Sequence, residues 1–215
     1  MRKLVAATAV VWAAIAASGA PATACDNGVI LEVDPRVEQV MAANAALDRD
    51  DPNEAARRVL RAFPKLRSAT LGADALQSKA MRAMAMAVVR LDGAVSAGPD
   101  WRGATAEDRD ASFLWATRVL RGLAMRRATD PSTLTDLGEA LSRRAATRAE
   151  ARKILELLAP RDLITSAYGW AALARARVAD GDTEGRAEAV ARCAKMARVI
   201  AVCKVRGEGT AVAGG

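Results

Sequence analysis

The sequence predicts an all-α protein built as an array of antiparallel helical hairpins, an α-solenoid. Hydrophobic residues make up 52% of the 215 residues, but aromatic residues make up only 3%. The apolar content is therefore mostly Ala and other small side chains, which favour closely packed helices. Apolar residues also recur at three- and four-residue spacing, the period of a one-sided helix, rather than in the alternation of a strand.

Three Asp-Pro steps mark predicted helix starts: Asp34-Pro35, Asp51-Pro52 and Asp130-Pro131. The Asp side chain can accept a hydrogen bond from the first turn, and Pro is tolerated at the first helical position. Glu54 follows Asp51 by three residues, and Glu150 follows Thr147 at the same spacing. Both pairs have the pattern of a capping box, so a helix is expected to begin after each.

Breaks in the helical pattern group the helices into pairs. We expect pairs over residues 36–63, 75–126, 131–159 and 162–198. Pro64 and Pro160 follow the second helix of a pair, where the chain must leave the helix. Repeated hairpins that each bury one face against the next form an α-solenoid.

The first 24 residues predict export from a bacterial cell. Arg2 and Lys3 precede an apolar run from Leu4 to Ala17, and Ala22-Thr23-Ala24 has the small-x-small pattern of a cleavage site before Cys25. We expect a periplasmic or extracellular protein without a transmembrane span. Cys25 would stand first after the cut, so lipid anchoring at Cys25 is the alternative to soluble export.

The predicted organisation is a signal peptide (1–24), an N-terminal linker (25–34), a helical-repeat domain (35–204) and a flexible C-terminal tail (205–215). Cys193 and Cys203 form a candidate disulfide in an oxidising compartment. Ten residues along one helix would place them about 15 Å apart, beyond disulfide reach, so this pairing requires the helix to end first. If Cys25 carries no lipid, any of the three pairings among these cysteines remains open.

The segment from Ala167 to Cys193 resembles a tetratricopeptide repeat. The residues that carry the resemblance are Trp170, Leu173, Ala174, Gly181, Asp182 and Ala187. The segment from Leu137 to Pro160 is similar through Leu137, Gly138, Ala151 and Pro160, and Ala45 to Pro64 is more weakly so. The resemblance implies a ring wedged between helices, small residues where helices approach, and a Gly-Asp corner. The pair at 75–126 carries no family signature, so a HEAT-like scaffold remains the alternative.

Several kinds of chemistry lack their usual residues. The chain has no His, which excludes His-assisted nucleophiles and most catalytic zinc sites. The stretch ADGDTEG from Ala179 resembles half of a calcium loop, but Ala191 stands where the bidentate Glu is needed. We expect a turn there, and no metal or cofactor.

The formal net charge is +7, and loss of Arg2 and Lys3 with residues 1–24 would leave +5. The Arg residues are interleaved with Asp and Glu, which is typical of a solvated face. We therefore expect no nucleic-acid partner.

We expect a non-enzymatic protein that binds a protein or peptide partner at the cell envelope, because solenoids present extended surfaces. Trp101 and Arg102, in the long connection 92–104, are candidate partner contacts, since Trp and Arg are enriched at binding hot spots. The alternative for Trp101 is that it folds back to fill a gap between helices. The alternative function is an all-α envelope enzyme that acts on glycan through a carboxylate acid, with Glu139, Glu150 and Glu156 as candidates.

Overall fold

The computed structural model describes residues 34–72, 74–97 and 100–205. The predicted signal segment, Cys25 and residues 206–215 of the predicted tail lie outside these ranges. The described residues are helical and contain no strand, so the all-α prediction is confirmed. None of these helices is long and apolar enough to span a membrane. The eight α-helices of the described residues are α1 (Pro35–Asp48), α2 (Pro52–Ala62), α3 (Ala75–Arg90), α4 (Ala106–Arg126), α5 (Pro131–Leu141), α6 (Arg148–Leu158), α7 (Ala167–Ala179) and α8 (Thr183–Met196).

The three helices predicted from Asp-Pro steps begin at those steps. The side chains of Asp34, Asp51 and Asp130 accept hydrogen bonds from backbone N–H groups in the first turns of α1, α2 and α5. The capping box predicted at Thr147 is wrong, because its side chain makes no capping bond to α6. The Thr147 hydroxyl instead donates to the carbonyl of Leu141 at 2.7 Å, which ties the start of α6 to the end of α5.

Each α-helix packs against the next one along the chain, and each of the four predicted pairs holds two consecutive helices. Among non-consecutive α-helices, the main contacts join α1 to α3, α3 to α5 and α5 to α7. We refer to α1, α3, α5 and α7 as the odd-numbered row. Helix α3 is central, since it contacts α1, α2, α4 and α5.

The core is built from many small contacts. In α3, every residue from Met81 to Val89 except Arg82 is buried, and three of them are Ala. The flexible Met side chains fill the gaps that such small neighbours leave. A larger buried cluster extends from α1 to α6, and a smaller one joins α6, α7, α8 and the segment after α8.

A disulfide joins Cys193, in α8, to Cys203. Helix α8 ends at Met196, and the chain then returns through a 3-10 turn at Ile200–Cys203. The helix therefore ends between the two cysteines, as the pairing requires, and their Cα atoms lie 5.7 Å apart. The bond fixes the returning segment against the end of the helical array.

Candidate binding groove

Three neighbouring cavities lie along one face of α3. The first, about 400 Å³, shares Asn44, Arg82 and Ser132 with the second, about 200 Å³. The second shares Leu47, Asp48, Arg90, Thr165 and Ser166 with the third, also about 200 Å³. The cavities are adjacent because they share lining residues, and we refer to them together as the odd-row groove.

The groove is lined by α1, by α3, by the N-terminal ends of α5 and α7 and, in the third cavity, by the end of α8 and the segment after it. Helix α3 contributes Leu76, Lys79, Arg82, Ala83, Met86 and Arg90. Their spacing of mostly three or four residues places them on one helical face. Helix α1 lines the groove from Val37 to Asp48, which at 1.5 Å per residue is about 16 Å. An extended chain covers that length in about five residues.

An ion pair lies in the middle of the groove. The Arg82 Nε atom is 2.5 Å from Oδ2 of Asp136, and Arg82 Nη2 donates to the Ser132 hydroxyl at 2.9 Å. Burial raises the pKa of Asp136 from its ordinary value of 3.8 to about 6, although the adjacent Arg82 lowers it. Desolvation outweighs the ion pair because the Asp136 side chain is only 8% exposed.

Arg90 links all four helices of the odd-numbered row. From α3, its Nη1 donates to the carbonyl of Leu47 in α1 at 2.8 Å, and its Nε lies 3.4 Å from Oε1 of Glu139 in α5. Its guanidinium lies 3.9 Å from the centroid of the Tyr168 ring in α7. The Tyr168 hydroxyl in turn donates to Asp50, just after α1. The Arg90 side chain is therefore occupied by groups of the protein itself.

A second group of charges is buried beneath Arg90. Glu139 is fully buried, and its Oε2 has no hydrogen-bond partner among the described residues. In α7, burial and repulsion by Arg143 lower the pKa of Arg175 to about 10. Arg175 Nη2 donates to the Ser142 hydroxyl at 3.2 Å. Buried charges therefore run from the groove into the α5–α7 contact, where loss of one partner is costly.

Four exposed charged residues line the groove and make no ion pair with another described residue: Lys79, Arg127, Asp48 and Arg198. Lys79 lines the first cavity, and Asp48 lines the second and third. Arg127 and Asp130 also line the first cavity, while Arg198 lines the third. Unlike Arg82 and Arg90, Lys79 and Asp48 are available to a bound molecule.

The residues that carry the repeat resemblance near the C-terminus lie in α7, in α8 and at the turn between them. Trp170, Leu173 and Ala174 are buried in α7. Gly181 has a φ of +73°, and Asp182 caps α8 by accepting from the Gly185 N–H, so the Gly-Asp corner lies between the two helices.

Ala187 is exposed, so its predicted packing role is wrong. Helix α8 buries Ala189 and Cys193, which are four residues apart and share one face. Ala187, two residues before Ala189, points away from that face. The small residue that packs in α8 is therefore Ala189.

The second repeat-like segment brings α5 and α6 close together. Leu137, Gly138 and Ala151 are buried there, while Pro160 is exposed in a short 3-10 turn after α6. A Cβ atom at Gly138 would lie 2.6 Å from Cγ of Leu155. Only glycine fits this approach without movement of Leu155.

Trp101 lies in the core rather than on a binding surface. It is 1% exposed, its ring packs edge-on against Trp115 with centroids 4.9 Å apart, and the Arg67 guanidinium lies 4.7 Å from its centroid. The prediction that Trp101 contacts a partner is therefore wrong for this structure, because the connection folds back and fills a gap between helices. Arg102 is exposed, and its role as a partner contact stays a prediction.

The three candidate acids for glycan chemistry form separate ion pairs. Glu139 pairs with Arg90, Glu150 with Arg121 and Glu156 with Arg152. Of these three, only Glu139 adjoins the groove residues, and it is buried beneath them. In the part of the chain that the structure describes, no group of three or more His, Cys, Asp or Glu side chains could hold a metal ion.

The sequence analysis missed the groove residues Arg82, Arg90 and Asp136. The signal that was present is a charged stripe in α3, where Lys79, Arg82 and Arg90 interrupt an Ala- and Met-rich helix on one face. The partners of Arg82 and Arg90 lie about 40 to 55 positions away in sequence, so local sequence spacing could not identify them.

Comparisons of the chain with protein-family models, with curated proteins and with solved structures give no match. The functional assignment therefore depends on the groove itself.

Proposed function

We propose that this chain is an exported, non-enzymatic helical-repeat protein of the bacterial cell envelope that binds an extended segment of a protein or peptide partner in the odd-row groove. The observation that carries the proposal is the succession of three adjacent cavities, which share lining residues, over about 16 Å along α1. A groove of that length suits a short extended segment.

The repeat architecture in this proposal is a tetratricopeptide-like α-solenoid of four hairpins. Its support is the pattern of helix contacts. Each helix packs on its neighbours in the chain, and α1, α3, α5 and α7 also contact one another in series. In such an array, the first helix of each hairpin lines one surface. Gly138 and the Gly181-Asp182 corner support it further, since they permit a close approach and a tight turn.

The export part of the proposal has two supports. One is the basic and apolar pattern of residues 1–24, which ends in Ala22-Thr23-Ala24. The other is the disulfide between Cys193 and Cys203, a bond that persists mainly in oxidising compartments.

The groove offers what a peptide backbone with mixed side chains requires. Asn44, Ser132, Thr165 and Ser166 bring side-chain hydrogen-bonding groups, and the backbone of a bound segment needs such partners. Val40, Met41 and Leu76 supply apolar surface in the first cavity, where Met41 is 68% exposed. Burial of a partner's apolar side chain there would add affinity.

The test is to select peptides from a phage-displayed random library on the purified protein and to measure their binding by fluorescence polarisation. Asn44→Trp puts a large side chain where the first and second cavities meet. Arg61→Trp, on the exposed side of α2, is the matched control. We expect Asn44→Trp to weaken binding at least about tenfold and Arg61→Trp to leave it unchanged. Selection of no peptide, or of peptides equally insensitive to both changes, would contradict the proposal.

A second candidate function is glycan cleavage through a carboxylate acid, and one observation favours it. Asp136 lines the second cavity, and its pKa of about 6 suits proton donation near neutral pH. Zymography with purified cell wall tests it. Clearing that disappears in Asp136→Asn would support an enzyme, and absence of clearing would count against one.

A further inference from the structure

We propose that the odd-row groove selects a segment with two opposite charges, an acidic side chain that pairs with Lys79 and a basic side chain that pairs with Asp48, about five residues apart. This inference rests on the proposed peptide-binding function and specifies the chemistry of the ligand.

The basic requirement comes from Asp48. It is exposed at the last position of α1, and it lines both the second and the third cavities. A carboxylate at a helix C-terminus is opposed by the helix dipole, so the structure of α1 gains nothing from it. Asp50, which accepts from Tyr168, also lines the third cavity and adds negative charge there. A cation from the ligand would compensate both.

The acidic requirement comes from the opposite end. Lys79 and Arg127 line the first cavity, and both are exposed. The one carboxylate that lines this cavity, Asp130, already accepts from Ser132 N–H and from the Thr133 hydroxyl as the cap of α5. The cation whose charge acts on Asp130 is Arg127, so the positive charge of Lys79 is left for the ligand.

The arginines at the centre do not make this a general anion-binding groove. Arg82 is held by Asp136 and Ser132, and Arg90 by Leu47, Glu139 and Tyr168. Each has its charge balanced by a carboxylate of the protein. Arg198 is exposed on the segment after α8. Of the three cavities it lines only the third, which is at the far end of the groove from Lys79. The uncompensated charges therefore have opposite signs at the two ends of the first and second cavities.

The spacing follows from helix geometry. Lys79 precedes Arg90 by eleven residues in α3, about 16 Å along the axis. Arg90 contacts the carbonyl of Leu47, the residue before Asp48. This axial distance sets the scale of the separation between Lys79 and Asp48, and an extended chain spans about 16 Å in about five residues.

The test repeats the library selection on Asp48→Lys and on Lys79→Glu, two exposed positions whose substitution should leave the helical circular dichroism unchanged. We expect the peptides selected on the wild-type protein to carry an acidic and a basic residue about four to six positions apart. This range allows about one residue on either side of the spacing of about five that the groove length gives. Each reversal should weaken them about tenfold, with the loss reduced at high salt. A peptide whose basic residue is replaced by an acidic one should recover binding to Asp48→Lys. A peptide whose acidic residue is replaced by a basic one should recover binding to Lys79→Glu.

The outcomes separate this inference from the proposed function. If Asn44→Trp weakens binding of the selected peptides but neither charge reversal does, the groove binds peptides and the proposed charge pattern is wrong. If no selected peptide depends on the groove, both proposals fail. Loss of binding in a charge variant without recovery by the reversed peptide would also overturn the pairing.

Discussion

The guanidinium of Arg90 lies against the ring of Tyr168, 3.9 Å from its centroid, and so joins α3 to α7 across 78 positions of sequence. The same side chain reaches α1 through Leu47 and α5 through Glu139. One residue therefore connects the odd-numbered row beside the groove.

Replacement of Arg90 by Met should lower the free energy of unfolding by about 3 to 5 kcal/mol, because it leaves the buried Glu139 carboxylate unpaired. Urea denaturation followed by circular dichroism measures the change. Arg57→Met, which breaks an exposed pair with Glu54, should cost about 1 kcal/mol or less.

The double variant Arg90→Met/Glu139→Gln distinguishes this cause from a loss of packing. We expect it to be more stable than Arg90→Met alone, because the buried charge is then absent. A double variant as unstable as the single one would refute the role of the ion pair.

Asp136 predicts a specific pH dependence. Its pKa is raised in the folded protein, so the folded state binds the proton more tightly than the unfolded state between pH 3.8 and about 6. The contribution of Asp136 to stability is therefore present below about pH 4 and is lost as the pH rises through about 6. A rise in pKa from 3.8 to about 6 corresponds to about 3 kcal/mol.

Urea denaturation at about pH 7 and about pH 4 should show this difference. Wild-type protein should gain stability relative to Asp136→Asn at the lower pH. Asp110→Asn, at an exposed position, controls for the loss of one negative charge. A wild-type protein that loses stability relative to Asp136→Asn on acidification would show that the sign is wrong.

Trp101→Ala should destabilise the protein by about 3 to 5 kcal/mol, because it leaves a cavity between Trp115 and Arg67. Thermal unfolding by calorimetry measures it. The control is Leu114→Ala on α4, where the side chain is 65% exposed and the cost should be about 0.5 kcal/mol or less. Equal effects would place Trp101 outside the core.

Gly138→Ala should cost about 1 to 3 kcal/mol, although Ala favours a helix over Gly, because its Cβ would meet Leu155. The same change made in a Leu155→Ala background should cost less, since the opposing side chain is gone. A double-mutant cycle from chemical denaturation gives the coupling. Zero coupling would mean that α5 and α6 do not touch at this point.

The parts of the fold that local chemistry dictates could be predicted from the sequence. Asp-Pro steps start α1, α2 and α5, and the Gly181-Asp182 corner separates α7 from α8. Each of these signals acts within a few residues. The failed cap at Thr147 shows the limit, since its hydroxyl donates to the carbonyl of Leu141 and accepts no bond from the first turn of α6.

The groove could not be predicted in the same way, because its charges matter only through partners on other helices. Asp136 pairs with Arg82 from 54 positions away, and Glu139 with Arg90 from 49. Trp101 is predicted to be a surface contact because it is a loop tryptophan next to an arginine. In the structure it is buried by residues from other parts of the chain. Ala187 and Ala189 differ only in which side of α8 they occupy.

The central claim is that the odd-row groove is where a partner segment binds, and photo-crosslinking tests it most directly. A photoreactive p-benzoylphenylalanine replaces Met41 at the exposed edge of the first cavity or, as control, Arg61 on α2. We expect a labelled, library-selected peptide to crosslink at position 41 and not at position 61, and unlabelled peptide to compete with it at position 41. Crosslinking at position 61 with none at position 41 would contradict it.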